Sequence, residues 1–198
     1  MSRSKKVDTK TAIESAMALF WKQGYNNLGT RQIEEETGIT RFTLQTSYGG
    51  KKPLFLMSLD AYLDTFELYA APNMADGNLD TIADWFNDRA KPKMFAEVTC
   101  YGCLLLNSTV EFAAQDVDVN LRADRFFKIV RSGFHAALSA VKQKGGVSSD
   151  FEVAEMAEVL LSAAIGLNIM IRSAGVNAAG KDMAQSIGKM IMNWQNDK

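Results

Sequence analysis

The sequence holds little of what catalysis or a disulfide scaffold requires. Its 198 residues include one histidine, two cysteines and three prolines. Two cysteines are too few for a disulfide framework, and a single histidine with one cysteine pair leaves no complete metal-ligand set. No nucleophile–base motif and no glycine-rich phosphate loop is present. We therefore expect a protein that is not an enzyme, with no catalytic residues, no cofactor and no metal.

Long apolar runs and export signals are also missing. No apolar run approaches the roughly 20 residues that cross a bilayer. The basic start Met1–Lys6 leads into no apolar segment of the kind found in signal peptides. Hydrophobic residues make up 47% and charged residues 23%, the balance of a folded globular chain. These features predict a cytoplasmic protein without a membrane partner.

The net charge of −1 conceals an asymmetry along the chain. Residues 1–52 hold nine Lys and Arg against five Asp and Glu, a balance of +4, and the remainder balances at −5. A basic N-terminal quarter suits a DNA-binding segment, because cationic contacts to phosphates supply most non-specific affinity. The same asymmetry also fits an ordinary basic tail.

Helical periodicity dominates the chain, and no segment shows the sustained alternation of a strand. After a first helix that ends at Gly24, the pattern predicts helices over about 30–37, 41–47, 51–71, 79–89, 94–115, 119–144, 150–173 and 178–195. The long helix 51–71 is expected to stop before Pro72. We predict an all-α protein: an N-terminal three-helix domain over 1–50, joined by the long helix to a helical ligand-binding and dimerisation domain over 51–198.

Residues 30–48 have the pattern of a helix-turn-helix. Gly38 can adopt the left-handed conformation of a sharp turn, and Thr40 is a suitable N-cap for the next helix. Ile33 and Leu44 then face the core, and the outer face of the second helix can enter a major groove. A plain helical hairpin with a polar face is the alternative reading.

The residues around this motif resemble the N-terminal domain of TetR-family regulators over residues 12–56. The matching segments are Leu19-Phe20 with Gly24-Tyr25, Arg31-x-Ile33, Thr37-Gly38-Ile39-Thr40, Thr43-Leu44 and Tyr48–Lys51. The resemblance implies a homodimer that places residues 41–47 in the major groove of a palindromic double-stranded DNA operator. It also implies a larger C-terminal domain that dimerises and often holds a small-molecule inducer.

The resemblance also supplies candidate DNA-binding residues. Phosphate contacts are assigned to Thr30, Thr40, Tyr48 and Lys51, base readout to Arg41, Phe42, Thr43 and Gln45, and Arg31 is a further carry-over. The chain departs from the family at Gln45 and Ser47, where aromatic residues or histidine are usual, so an operator sequence cannot be transferred. It also has Glu34 where a small residue is typical, and that carboxylate is expected to reach solvent or a cation.

Two further sites are expected in the body. Apolar positions of the last two helices form the candidate dimer interface: Leu160, Ala164, Leu167, Ile187, Met190, Ile191 and Trp194. Gly166 and Gly188 would permit close approach of these helices, although both helices also fit the core of a monomer. Aromatic residues with a few polar groups form the candidate ligand pocket, although such residues also build ordinary cores: Phe66, Tyr69, Trp85, Phe86, Phe95, Tyr101, Cys103, Asn107, Phe112, Phe127, Phe134 and His135.

The pair Cys100 and Cys103 leaves two readings open. Gly102-Cys103 and the residues after it resemble a stretch in TetR-like C-terminal domains where the segment opens a packed helix. A CxxC pair is also suited to thiol-based sensing of oxidants or electrophiles. The sequence thus predicts a DNA-binding regulator, a repressor released by an inducer of unknown identity. The alternatives are a thiol sensor and a constitutive DNA-binding protein with no inducer.

Overall fold

The computed structural model describes residues 8–75, 78–91 and 99–195, except for the side chains of residues 69–75. These segments form helices α1 (Thr9–Gln23), α2 (Thr30–Thr37), α3 (Arg41–Tyr48), α4 (Lys51–Ala75), α5 (Leu79–Ala90), α6 (Leu104–Phe112), α7 (Val117–Gln143), α8 (Val153–Ala174) and α9 (Lys181–Met192). Short 3-10 turns lie at Thr99–Tyr101 and Asn177–Gly180. The described residues contain no strand, only an isolated bridge between Val147 and Gln195. The all-α prediction is confirmed.

Local capping sets the ends of the first three helices. The Asp8 carboxylate accepts the Thr11 N–H at the start of α1. Gly38 and Gly49 follow α2 and α3 with φ of 71° and 76°, in the left-handed region that glycine enters without a steric penalty. The turns after α2 and α3 are therefore encoded by the glycine at each turn.

Helix α4 is longer than the sequence pattern predicts. It continues through Pro72 to Ala75, so the expected end before Pro72 is wrong. Proline lacks an N–H and removes the hydrogen bond to the carbonyl four residues earlier. That carbonyl belongs to Leu68, whose side chain is 64% exposed, so water can reach the helix there and replace the missing donor.

The helix predicted over 94–115 is wrong in extent. Residues 92–98 lie outside the described part, and the chain then forms a 3-10 turn and the short α6. Gly102 separates them with φ of 73°, and a Cβ there would lie 2.7 Å from the backbone oxygen of Asn168. The break thus lets the chain pass close to α8. The last predicted helix is also shorter, because Asn177–Gly180 is a 3-10 turn that precedes α9.

One hydrophobic core runs through the N-terminal unit and the body. Helix α4 packs on α1 and α3 at one end and on α7 along its length, while α5 packs on α9 and α7 on α8. Phe55 of α4 contacts Phe20 and Tyr25 at centroid distances of 5.0 Å and stacks on Phe112 at 5.6 Å. These rings join α1, α4 and α6 into one packed junction.

Helix α8 is long and apolar enough, by length and composition, to cross a membrane. This differs from the expectation that no stretch approaches that length. The helix has Glu155, Glu158 and Arg172 as its charged residues, and a third of its most apolar window is buried inside the chain. Core helices of soluble proteins pass the same test, so this property alone assigns no membrane role.

Candidate nucleic-acid interface and internal cavity

The turn between α2 and α3 is held by short-range hydrogen bonds. The Gly38 N–H donates to the Glu34 carbonyl oxygen at 2.9 Å. The Thr37 hydroxyl donates to the Ile33 carbonyl oxygen at 2.6 Å and accepts the Ile39 N–H at 3.1 Å. Thr40 caps α3 by accepting the Thr43 N–H at 3.1 Å. Ile33, Ile39 and Leu44 are buried as expected, so the opposite face of α3 is fixed toward solvent.

The outward face of α3 carries the side chains assigned to base readout. Arg41, Phe42 and Gln45 are exposed, and Thr43 is half-buried. The Phe42 side chain is 77% exposed, a large apolar group with no cover within the chain. An α-helix that presents such a face can enter the major groove of B-DNA.

The side chains assigned to phosphate contact occupy several environments. Thr30 and Thr40 lie at the starts of α2 and α3, and Thr40 already serves as a cap. The ring of Tyr48 is buried. Its hydroxyl forms no hydrogen bond with a described residue and is accessible to solvent. The Lys51 ammonium lies 4.2 Å from the Tyr25 ring centroid, and burial lowers its pKa.

Other charges near the motif are already paired. The Arg31 guanidinium donates to Glu35 at 2.8 Å on the exposed side of α2. The Lys52 ammonium forms an ion pair with Asp116. Glu34 is half-buried, so its carboxylate keeps access to solvent.

Polar contacts connect the N-terminal unit to the body. The Glu111 carboxylate accepts the N–H groups of Tyr25 and Asn26 at 2.8 and 2.6 Å. From α8, the Arg172 guanidinium donates to the carbonyl oxygens of Trp21 and Lys22, both at 3.1 Å, at the C-terminal end of α1. The position of α1 therefore depends on two helices of the body.

A cavity of about 400 Å³ lies between α1 and the body helices. That volume falls within the range of small-molecule sites. Apolar and aromatic side chains form most of its wall, with a few polar groups among them: Met17, Trp21, Tyr62, Thr65, Phe66, Trp85, Asp88, Arg89, Thr99, Gly102, Cys103, Leu106, Phe126, Val130, Leu161, Ala164, Ile165, Asn168, Ile171 and Asn177.

The structure brings only part of the predicted pocket to this cavity. Phe66, Trp85 and Cys103 line it, Phe95 lies outside the described residues, and so does the side chain of Tyr69. The remaining candidates lie outside the cavity wall and make other contacts. Phe86 and Phe134 stack on each other in the core, Phe112 packs at the α1–α4–α6 junction, and Phe127 packs on Phe126. Asn107 donates to the Tyr101 carbonyl oxygen, the Tyr101 ring lies near Arg172, and His135 is exposed on α7.

Sequence reasoning missed the contribution of α1 to this cavity. Met17 and Trp21 belong to the N-terminal unit, yet both line the cavity of the body. The Trp21 indole N–H donates to the Gly102 carbonyl oxygen at 3.1 Å, a contact between residues 81 positions apart. No local pattern signals such a contact, because it depends on how distant helices pack.

The polar groups of the cavity wall include Tyr62, Arg89 and Cys103, together with Thr65, Asp88, Thr99, Asn168 and Asn177. The Tyr62 hydroxyl donates to the Cys103 sulfur at 3.2 Å, and burial raises the pKa of both groups. The Arg89 guanidinium carbon lies 3.1 Å from the Trp85 ring centroid, and its Nη1 donates to the Trp85 carbonyl oxygen at 2.9 Å. Desolvation lowers the pKa of Arg89 to about 10, so the side chain remains cationic at neutral pH.

The candidate dimer residues lie mainly inside the chain. Leu160, Ala164, Leu167, Ile187 and Ile191 are buried in the protomer core, while Met190 and Trp194 are half-buried. Gly188 faces Ala83 of α5, so it does not provide a close approach between protomers. The exposed large apolar residues of α8 are Val159, Ile169 and Met170. A periodic apolar pattern cannot separate buried from exposed positions when both are apolar.

The fold and the exposed α3 define a helix-turn-helix DNA-binding protein. Residues 12–57 match the family model described as bacterial regulatory proteins, tetR family. The match covers the N-terminal helix-turn-helix segment, and together with the structural neighbours it supports a TetR-family transcriptional regulator.

Comparisons with individual proteins agree with this assignment. The chain is 25% identical to the HTH-type transcriptional repressor ComR of Escherichia coli, over 97% of this chain and 91% of that protein. A TetR-family regulator from Cytophaga hutchinsonii has the same fold, with a TM-score of 0.79, 17% identity and full coverage of both chains. CifR, solved as a cysteine mutant with 26-bp operator DNA, superposes with a TM-score of 0.72 and 17% identity, over 98% of this chain and all of that one.

Proposed function

We propose that this regulator is a cytoplasmic homodimeric repressor that binds a palindromic operator through α3 and releases it when an inducer enters the cavity. The observation that carries the proposal is that one cavity is lined both by body helices and by Met17 and Trp21 of α1. An occupant of this cavity would contact the N-terminal unit directly. We divide the chain accordingly into a DNA-binding domain over 1–50 and a ligand-binding and dimerisation domain over 51–198.

The route from cavity to DNA runs through α1. Trp21 is held by its indole bond to Gly102 and by the Arg172 bond to its carbonyl oxygen. Helix α1 packs on α2 and α4, and both of these helices contact α3. A shift of Trp21 would therefore change the position of α3. Two protomers must match two major grooves one helical turn apart, so a small rotation of each N-terminal unit is enough to lower affinity.

Dimerisation is proposed through the outer face of α8. Val159, Ile169 and Met170 are 39%, 51% and 42% exposed, and large apolar side chains left exposed along one helix are suited to contact with a partner. CifR was solved with operator DNA, and operators of this family are read by dimers. The repressor role follows the relative ComR, which is a repressor.

The test is a fluorescence-anisotropy titration of the purified protein against labelled DNA from the region flanking its gene. Arg41→Ala is expected to weaken specific binding by about 1–3 kcal/mol and relax base preference if Arg41 contacts a guanine. Arg125→Ala, which removes an exposed arginine of α7 instead, is the matched control. No binding to any flanking fragment at low salt would contradict the proposal, and equal effects of the two variants would remove Arg41 from base readout.

Thiol sensing is the second candidate, because Cys103 lines the cavity. Burial raises the pKa of its thiol, which keeps the nucleophilic thiolate scarce at neutral pH. This favours a packing role that contributes to the cavity wall. Replacing Cys100 and Cys103 together with Ser distinguishes the roles: persistence of peroxide- or quinone-driven DNA release in this variant excludes sensing, and its loss supports it.

A further inference from the structure

The cavity wall contains a cation, Arg89, that has no carboxylate within ion-pair distance among the residues that the structure describes. Among the residues that the structure describes, Arg89 forms no ion pair, although eight other ion pairs occur there. Asp88 also lines the cavity and acts on Arg89 electrostatically, but its hydrogen bond goes to the Lys91 ammonium at 2.7 Å, and both of those side chains are largely exposed. The Arg89 guanidinium is therefore not paired directly by any carboxylate that the structure describes.

The guanidinium is held in place by its own helix. It stacks on the Trp85 ring at 3.1 Å and uses Nη1 for the Trp85 carbonyl oxygen at 2.9 Å. Arg89 lies in the last turn of α5, where free carbonyl groups favour a nearby cation. Its other N–H donors have no partner among the described residues. A fixed, partly desolvated guanidinium with unused donors is preorganised for a planar anion.

The rest of the wall selects an apolar body for such a ligand. Aromatic rings of Trp21, Tyr62, Phe66 and Phe126 border the cavity, together with aliphatic groups from α7 and α8. Near Arg89 lie the Tyr62 hydroxyl and the Cys103 sulfur, and burial raises the pKa of both groups, so both are uncharged at neutral pH. Burying a cation without a counter-charge is unfavourable, and an anion that enters the cavity offsets that cost.

We propose that the cavity binds an organic carboxylate with a flat apolar body, and that Arg89 pairs with its carboxylate. This inference rests on the proposed inducer role of the same cavity and specifies its ligand class. Trp21 borders the same cavity and would contact the apolar part of the ligand.

The test uses one pair of probes with nearly the same shape: 2-naphthoate and 2-naphthamide. Isothermal titration calorimetry on the full-length protein is expected to show about tenfold or more tighter binding of the naphthoate. In Arg89→Met the two probes should bind equally, because the charge is gone while the volume is similar. Arg89→Lys should retain part of the preference, and Arg125→Met, a matched change on the surface, should retain all of it.

Each outcome decides the proposal. Equal binding of both probes to the unaltered protein, preference for the amide, or no binding of either overturns it, as does an undiminished preference in Arg89→Met. Circular dichroism and thermal melting confirm that each variant is folded before titration. The DNA titration is performed separately. Naphthoate binding without DNA release would refute the inducer role but support the anion site. DNA release that does not depend on Arg89 would support the inducer role but refute the anion site.

Discussion

The helix-turn-helix and the cavity differ in the reach of the contacts that build them. The turn at Gly38 is closed by bonds between residues two to four positions apart. The cavity wall is joined by bonds that span 41 positions from Tyr62 to Cys103, 81 from Trp21 to Gly102 and 151 from Arg172 to Trp21. The DNA-binding surface is thus a local structure, while the shape of the cavity depends on the whole chain.

This difference explains how one region can control the other. A locally closed turn keeps its form when its surroundings move, so α2 and α3 shift as a unit. The cavity can change shape only by moving helices that belong to several parts of the chain, and α1 is one of them. Under the proposed inducer role, a ligand bound in the cavity would change the position of α3 and leave its DNA-reading face unaltered.

A substitution of Phe55 is expected to have the largest effect, because this residue lies where the N-terminal unit and the body join. Phe55→Ala is expected to lower the free energy of unfolding by about 3–5 kcal/mol, since the ring is fully buried among Phe20, Tyr25 and Phe112. Urea unfolding followed by circular dichroism measures the loss. Phe42→Ala removes a ring that is 77% exposed, and it should change stability by less than about 0.5 kcal/mol while weakening DNA binding.

The shape of that unfolding curve carries further information. A single cooperative transition in Phe55→Ala indicates that the N-terminal unit and the body share one core, as their continuous cluster of buried residues implies. Two separated transitions would show that the N-terminal unit is stable by itself, and the junction would then be a contact between independent domains.

Gly102 tests whether the cavity depends on distant packing. At Gly102 and Gly145 φ is 73° and 71°, so an alanine at either position incurs the same left-handed cost, about 1–2 kcal/mol. A Cβ at Gly102 would also lie 2.7 Å from the Asn168 oxygen, whereas nothing lies within 4 Å at Gly145. Gly102→Ala is therefore expected to lose about 1–3 kcal/mol more than Gly145→Ala in urea unfolding. Equal losses of stability in the two variants would mean that α8 moves away from residue 102 without a cost in free energy.

The same contrast explains what could be predicted from sequence. The limits of α2 and α3 followed from Gly38, Thr40 and Gly49, because capping and turn preferences operate within one helical turn. The buried and exposed sides of α8 did not follow, since residues such as Leu160 and Val159 are equally apolar and only the packing partner separates them.

The cavity shows the same limit more strongly. Aromatic composition identified Trp85 and Phe66 as candidates but equally suggested Phe86 and Phe134, which fill the core. Arg89 carried no sequence signal at all, because a charged residue in the last turn of an amphipathic helix is ordinary. Its significance comes from burial beside a cavity, and burial of that kind is set by tertiary packing.

Glu111 provides a smaller perturbation that acts on the connection alone. Glu111→Gln leaves one oxygen to serve the N–H groups of Tyr25 and Asn26, so one of the two bonds is lost. Stability should fall by about 1–2 kcal/mol and DNA affinity should fall with it, since the start of the segment leading to α2 is less firmly placed. Glu14→Gln on the exposed side of α1 is the control for unfolding and anisotropy measurements. A stability loss without any change in DNA affinity would argue that Glu111 does not position the N-terminal unit.

The Lys52–Asp116 ion pair predicts the smallest effect, and its pH dependence has a definite sign. The hydrogen bond from Lys52 lowers the pKa of Asp116 below its ordinary value of 3.8. A carboxyl whose pKa is depressed in the folded state adds stability that is fully present above its unfolded pKa and is lost as the pH falls through the folded one. Asp116→Asn keeps an oxygen to cap α7 but removes the charge, so it should cost at most about 1 kcal/mol at neutral pH. The difference between the two proteins in urea unfolding should shrink once the pH drops below 3.8, and a difference that stays constant with pH would show that the ion pair contributes nothing to holding α4 against α7.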